Sequence, residues 1–217
     1  MATATSTFRP SRSTLVHGAF ALNTTLVLSL VYVLATGADV GALRYAVYGV
    51  IWVAVGLWVL FDVEVPPTST KTKRRAALVA VGYFALLAVA GGIVTTAIPG
   101  GDSGLRVAFL PPGWGPALIY AGSLVNVILM PARLVGYVAL AYLVYDTFIE
   151  ASGAAVSGIV GLLSCVSCSW PVLASIATSV FGSGTALALT ATSLSYDLST
   201  LVFVVTVALL RWRPGFR

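Results

Sequence analysis

The charges of this chain are few and bunched, and between the bunches lie apolar runs as long as the about 20 residues a helix needs to cross a bilayer. No other feature narrows the possible folds so far. Only 9% of the residues are charged and 59% are hydrophobic, where a soluble domain carries about 25% charged residues. The mean hydropathy is +0.99. No sizeable soluble domain fits between the runs. The expected fold is all-α: a polytopic integral membrane bundle forming one domain over residues 1–217. Six transmembrane helices are expected, over about 14–36, 41–61, 76–98, 116–148, 153–181 and 185–210.

The cations orient this bundle. Arg9 and Arg12 precede span one, Lys71, Lys73, Arg74 and Arg75 separate spans two and three, and Arg211, Arg213 and Arg217 follow span six. All of these fall on one side of a six-span chain. Arg44 and Arg106 fall on the other, and Arg133 lies within span four. Cytoplasmic loops carry the excess of Lys and Arg, so both termini are expected in the cytoplasm of a multi-pass cell-membrane protein. The net charge of +5 then reflects topology and attraction to anionic lipid headgroups, and gives no reason to expect a nucleic-acid partner. Span one is longer than the roughly 7–15 apolar residues of a signal peptide, so it is expected to be retained.

The longest outer connection, residues 99–115, opens on the turn Pro99-Gly100-Gly101-Asp102. Leu105 to Leu110 are expected to dip into the membrane interface, with Trp114 as an aromatic anchor. His17 is expected as an interfacial residue near the cytoplasmic end of span one.

Polar residues within the spans mark where a site would lie. Asn126, Met130, Arg133 and Tyr137 recur at helical spacing and would share one face of span four. Pro131 would break that helix near its centre and free the Val127 carbonyl. Thr190, Ser193, Asp197 and Thr200 would share a face of span six. Arg133 and Asp197 each fall near the midpoint of a span. An uncompensated charge there costs at least ~2.5–3.5 kcal/mol. An intramembrane ion pair between Arg133 and Asp197 is therefore expected, tying span four to span six.

The chain's two cysteines lie in Cys165-Val166-Ser167-Cys168-Ser169-Trp170-Pro171. Residues three apart are neighbours on a helix, so both thiols would share a face. Pro171 would remove the bond to the Ser167 carbonyl and bend span five just beyond them. Three readings stay open. Two thiolates, with the Met130 thioether, suit Cu(I), and Arg133 would offset the thiolate charge. A redox dithiol is the second, and with no further cysteine pair it would need a partner protein or quinone. The third is close helix packing, in which Cys165 and Cys168 act as small apolar residues beside Gly158 and Gly161. A structural zinc site normally takes four ligands, and the chain has one histidine. No phosphate-binding glycine loop, H-E-x-x-H or Ser/His/Asp arrangement is present.

The segment from Gly158 to Pro171, together with Met130-Pro131-Ala132-Arg133-Leu134-Val135-Gly136-Tyr137 and Tyr142-Leu143-Val144-Tyr145, resembles an uncharacterised family of six-span membrane proteins from halophilic archaea. The resemblance covers mostly spans four to six. Members of that family are often associated with terminal oxidase genes, and the resemblance thus implies copper delivery or oxidase assembly with a terminal oxidase or another membrane protein as partner. The chain is also similar, more distantly, to the cytochrome-c-biogenesis thiol transporters. Those place one reactive cysteine in each three-helix half, whereas Cys165 and Cys168 both lie in span five. The vitamin-K-epoxide-reductase family has a membrane C-x-x-C but adds a second pair, which is absent from this chain. The expected function is that of a respiratory or metal-handling accessory protein that binds Cu(I) transiently. The alternatives are a membrane thiol–disulfide oxidoreductase, a small-solute permease with Pro131 and Pro171 as hinges, and a structural membrane subunit.

Overall fold

Serines start two of the helices. The Ser11 hydroxyl accepts from the Thr14 amide at 3.1 Å to begin α1 (Arg12–Thr36). Ser69 accepts from the Thr72 amide at 3.3 Å to begin α3 (Thr70–Ala90). Each satisfies an amide that the first turn leaves without a carbonyl. Gly37, at φ 61°, ends α1 by donating to the Val33 carbonyl at 2.9 Å. The computed structural model describes residues 11–38, 43–97, 103–151 and 186–212. The other described helices are α2 (Leu43–Asp62), α4 (Pro131–Ala151) and α5 (Ala186–Trp212).

The chain is mostly helical, and α1, α2 and residues Pro131–Glu150 of α4 are long and apolar enough to cross a membrane. Helix α1 is apolar nearly all round: Leu15, Phe20, Leu28 and Leu34 are exposed, and only Ala21 and Thr25 are buried. Such a helix suits a lipid neighbourhood. Helix α3 differs. Lys71, Lys73, Arg74 and Arg75 belong to its first turns, so spans two and three are separated by a shorter linker than expected. The apolar part left, Ala76 to Ala90, is about 22 Å long at about 1.5 Å per residue.

Cross-contacts fix the direction of each helix. The Tyr48, Trp52 and Asp62 side chains of α2 meet Asp197, Thr200 and Arg211 of α5, so α2 and α5 run parallel and in step. Trp52 faces Gly136 and Val63 receives the Tyr142 hydroxyl, so α4 also runs parallel to α2. Helix α1 runs antiparallel to α2, with His17 against Asp62 and Phe20 against Phe61. Helix α3 is antiparallel to α4, its final Gly91 meeting Arg133 and Tyr137. The start of α1, the start of α3 and the end of α5 thus gather at one end, with Arg12, the α3 cations and Arg211. This is the basic end.

The opposite end carries a four-stranded antiparallel sheet, which corrects the all-α expectation. Strands β1 (Val94–Thr96), β2 (Gly104–Ala108), β3 (Ala117–Ala121) and β4 (Val125–Leu129) lie in the order β1-β4-β3-β2. Residues 116–148 are therefore not one long helix, and span three stops at Ala90 where 76–98 was expected. The cause is local. Gly91 and Gly92, the latter at φ 75°, close α3, and Val94-Thr95-Thr96 prefers extended backbone. In the second hairpin, Ile119, Tyr120, Val125, Val127 and Ile128 are β-branched or aromatic and flank a turn at Gly122-Ser123. An apolar run of that kind reads equally as strand or as helix.

Pro131 is likewise not a mid-helix break. It is the first residue of α4, where its missing N–H is no loss and its fixed φ suits the helix. The Met130 carbonyl takes the first bond, from the Leu134 amide at 3.0 Å. The core lies between α2, α3, α4 and α5. Trp52 stacks on Phe203 at 4.2 Å and meets Tyr137 edge-on at 5.9 Å. Gly136 lets α4 come this close: a Cβ there would lie 2.5 Å from Trp52 Cε3.

Candidate functional site

The sequence-expected site residues separate in space. Cys165, Cys168 and Pro171 lie outside the described residues. Met130 immediately precedes α4 at the sheet end, half-buried against the core. Asn126 is in β4, so the expected face of Asn126, Met130, Arg133 and Tyr137 does not exist as a helical stripe.

Arg133 and Asp197 do not pair. Arg133 Nη1 donates to the Gly91 carbonyl at 2.9 Å. That carbonyl is just past the last turn of α3, where unsatisfied oxygens and the helix dipole favour a cation. The Tyr137 hydroxyl reaches the same oxygen at 3.5 Å. Asp197 instead accepts a hydrogen bond from the Tyr48 hydroxyl, and its other oxygen lies 3.9 Å from Arg44 Nη1. The reason is a nearer partner for each. Arg133 falls in the first turn of α4 because its helix starts at Pro131, and Asp197 lies level with the second turn of α2. Both charges sit towards the sheet end, where each finds a nearer partner than the other.

Around Asp197 the sheet end forms an aromatic seam between α2 and α5. Arg44 stands 4.9 Å over the Tyr45 ring and donates to its hydroxyl at 3.0 Å. Tyr45 packs edge-on against Tyr196 at 5.4 Å, and Trp114 does the same at 5.9 Å. Trp114 is therefore not a lipid-facing anchor. It is buried, and its indole N–H donates to the Tyr45 carbonyl at 2.8 Å. Gly49 makes the room: a Cβ there would lie 3.0 Å from the Trp114 ring. The loop before β3 is thus plugged into the top of the bundle. Tyr32 ties α1 to the same loop by donating to the Leu110 carbonyl at 2.9 Å.

A second polar cluster, not expected from the sequence, closes the basic end. Asp62 is the last residue of α2, and its side chain is only 4% exposed. Arg211 Nη2 approaches one carboxylate oxygen at 2.7 Å, and His17 Nδ1 lies 3.3 Å from the other. His17 is thus engaged in tying α1 to α2. The signal was present: Asp62 ends one apolar run and Arg211 ends another on the same expected side.

Among the described residues, no group of three or more His, Cys, Asp or Glu is arranged to hold a metal ion.

A family model matches residues 1–217, the full length of the chain. The chain belongs to DUF7546, a family of unknown function. That membership fits the expectation of an uncharacterised family and assigns no activity. No curated protein and no solved structure matches the chain.

Proposed function

We propose that this DUF7546 member is a six-span membrane protein with its basic end in the cytoplasm, and that its C-x-x-C segment supplies the fifth crossing and binds Cu(I). The observation that carries this reading is the parallel run of α4 and α5. Both pass from the sheet end to the basic end, so the intervening chain must return over the full thickness of the bundle. Residues 153–181 are apolar and long enough to do so. By chain count Cys165 and Cys168 fall near the middle of that return. On this reading the two thiols would lie away from the rims, where Arg44, Arg133 and Arg211 are already engaged.

Two thiolates are a sufficient linear ligand set for Cu(I), which favours soft sulfur donors. Met130 is at the sheet-end rim, so the proposed set is the cysteine pair, with the thioether at most a handover ligand towards the outer side. The biological role would be accessory: holding Cu(I) for a membrane partner such as a respiratory oxidase. The test is Cu(I) titration of the purified protein against a chromophoric chelator. Wild type is expected to withdraw one equivalent and the double variant Cys165→Ser, Cys168→Ser none. Equal uptake by the two proteins would remove copper binding from the account. The thiol–disulfide alternative would be supported by a reversible Cys165–Cys168 disulfide under redox titration.

A further inference from the structure

We infer that the β2–β3 half of the sheet is a membrane-seating surface, lying on the lipid headgroup and upper acyl region beside the bundle. The inference rests on the six-span reading above and adds a lipid contact to it.

The strand register defines the surface. Val94 pairs with Val127, Val127 with Tyr120, and Tyr120 with Leu105. Paired residues share a face, so these four project to one side, and Leu118 and Val107 join them one step along. On the β1–β4 half, Val94 and Val127 pack against the helix core. On the β2–β3 half the same face runs on with no cover from the described residues: Leu105 is 67% exposed, Val107 and Tyr120 53%, and Leu118 39%. Arg106 lies between Leu105 and Val107 and projects to the opposite face.

Lipid is the occupant that fits. Helix α3, from which the sheet hangs, has only about 22 Å of apolar length for a hydrocarbon core of about 30 Å. The chain just past Gly91 therefore starts below the outer boundary of the core. Val89, in the last turn of α3, is itself 65% exposed and belongs to the lipid-facing flank that leads up to the sheet. Tyr120 supplies the amphipathic ring favoured at that depth. The face towards the core is apolar, while the cation Arg106 is on the other face, where phosphates and water lie. Strand β2 is an edge, and its unpaired backbone groups need headgroup or water partners. This sets the hairpin at the boundary, with only its side chains reaching acyl carbons.

Photocrosslinking tests this in vesicles of phosphatidylethanolamine and phosphatidylglycerol. The variants Leu105→p-benzoylphenylalanine, Val107→p-benzoylphenylalanine and Arg106→p-benzoylphenylalanine are compared with the same substitution at Leu28, an exposed position on α1. Acyl-chain adducts at 105, 107 and 28, with their loss at 106, are expected. Two seating positions are used so that failure of one variant to fold leaves the other. Adducts at 28 with none at 105 or 107, or a crosslink from 105 or 107 to polypeptide, would overturn the seating inference alone. No lipid adduct at Leu28 either would instead overturn the six-span reading on which it rests.

Discussion

Asp62 and Asp197 both join α2 to α5, yet they do so in opposite ways. Asp62 is buried at the basic end and held by Arg211 at 2.7 Å and by His17 at 3.3 Å. Asp197 stands towards the sheet end with its side chain 36% exposed, and its cation, Arg44, is 46% exposed and 3.9 Å away. Between Arg44 and Asp62, helix α2 climbs about 27 Å, close to the thickness of a hydrocarbon core. The two clusters therefore bracket one apolar layer. One is a closed clasp that needs its charges. The other is an open contact in which Tyr48, Tyr45 and Trp114 supply most of the order. A charge near the membrane need not be a midplane charge, and its partner is set by the rim at which it sits.

The comparison can be broken from either side by thermal unfolding in detergent. The largest effect is expected at the clasp. Arg211→Met removes the near cation and leaves the buried Asp62 carboxylate with His17 and Thr14, a loss of about 3 kcal/mol. The apolar layer between the clusters comes next. Gly136→Ala would push a methyl into Trp52 and force the α2–α4 contact apart, costing about 2 kcal/mol. His17→Ala should take about 1 kcal/mol, the value of one hydrogen bond at a half-exposed position. Asp197→Asn should leave the melting temperature almost unchanged, since the tyrosine contact persists and the ion pair is open to solvent. Raising salt sharpens the contrast. It should narrow any difference between wild type and Asp197→Asn and leave the Arg211→Met loss in place. An Asp197→Asn loss as large as that of Arg211→Met would show that the two ends are not different in kind.

Much of the helical frame was legible in the sequence. The expected spans 14–36, 41–61 and 185–210 each lie within two residues of α1, α2 and α5 at both ends. Long apolar runs bounded by Ser11, Asp62 and Arg211 carry that information. Within 94–130, the strands at 94–96, 117–121 and 125–129 read as parts of spans because period and propensity disagree with length there. The strand-forming residues of this region come in short groups, Val94-Thr95-Thr96 and Val125-Asn126-Val127-Ile128, each preceded by a glycine break, Gly91-Gly92 and Gly122-Ser123. Summed over a window they mimic a span, and only the glycines betray the hairpins. Once those strands are taken out of the helix, Arg133 moves from mid-span to the first turn. The Arg133–Asp197 pair loses its basis for that reason. The clasp at Asp62 was missed because terminal charges read as solvated loops until two helices are known to end side by side. The cysteine segment lies outside the described residues, so its role rests on sequence chemistry and on the direction of the helices around it.

That direction is the central claim, and reporter fusions test it most directly. A tandem phosphatase–fluorescent-protein reporter joined after Ser152 and, separately, after Ser183 reads which side of the membrane each point faces. The account predicts fluorescence without phosphatase activity at Ser152, and phosphatase activity without fluorescence at Ser183. The same signal from both fusions would contradict it: the chain carrying Cys165 and Cys168 would then not cross the membrane between α4 and α5.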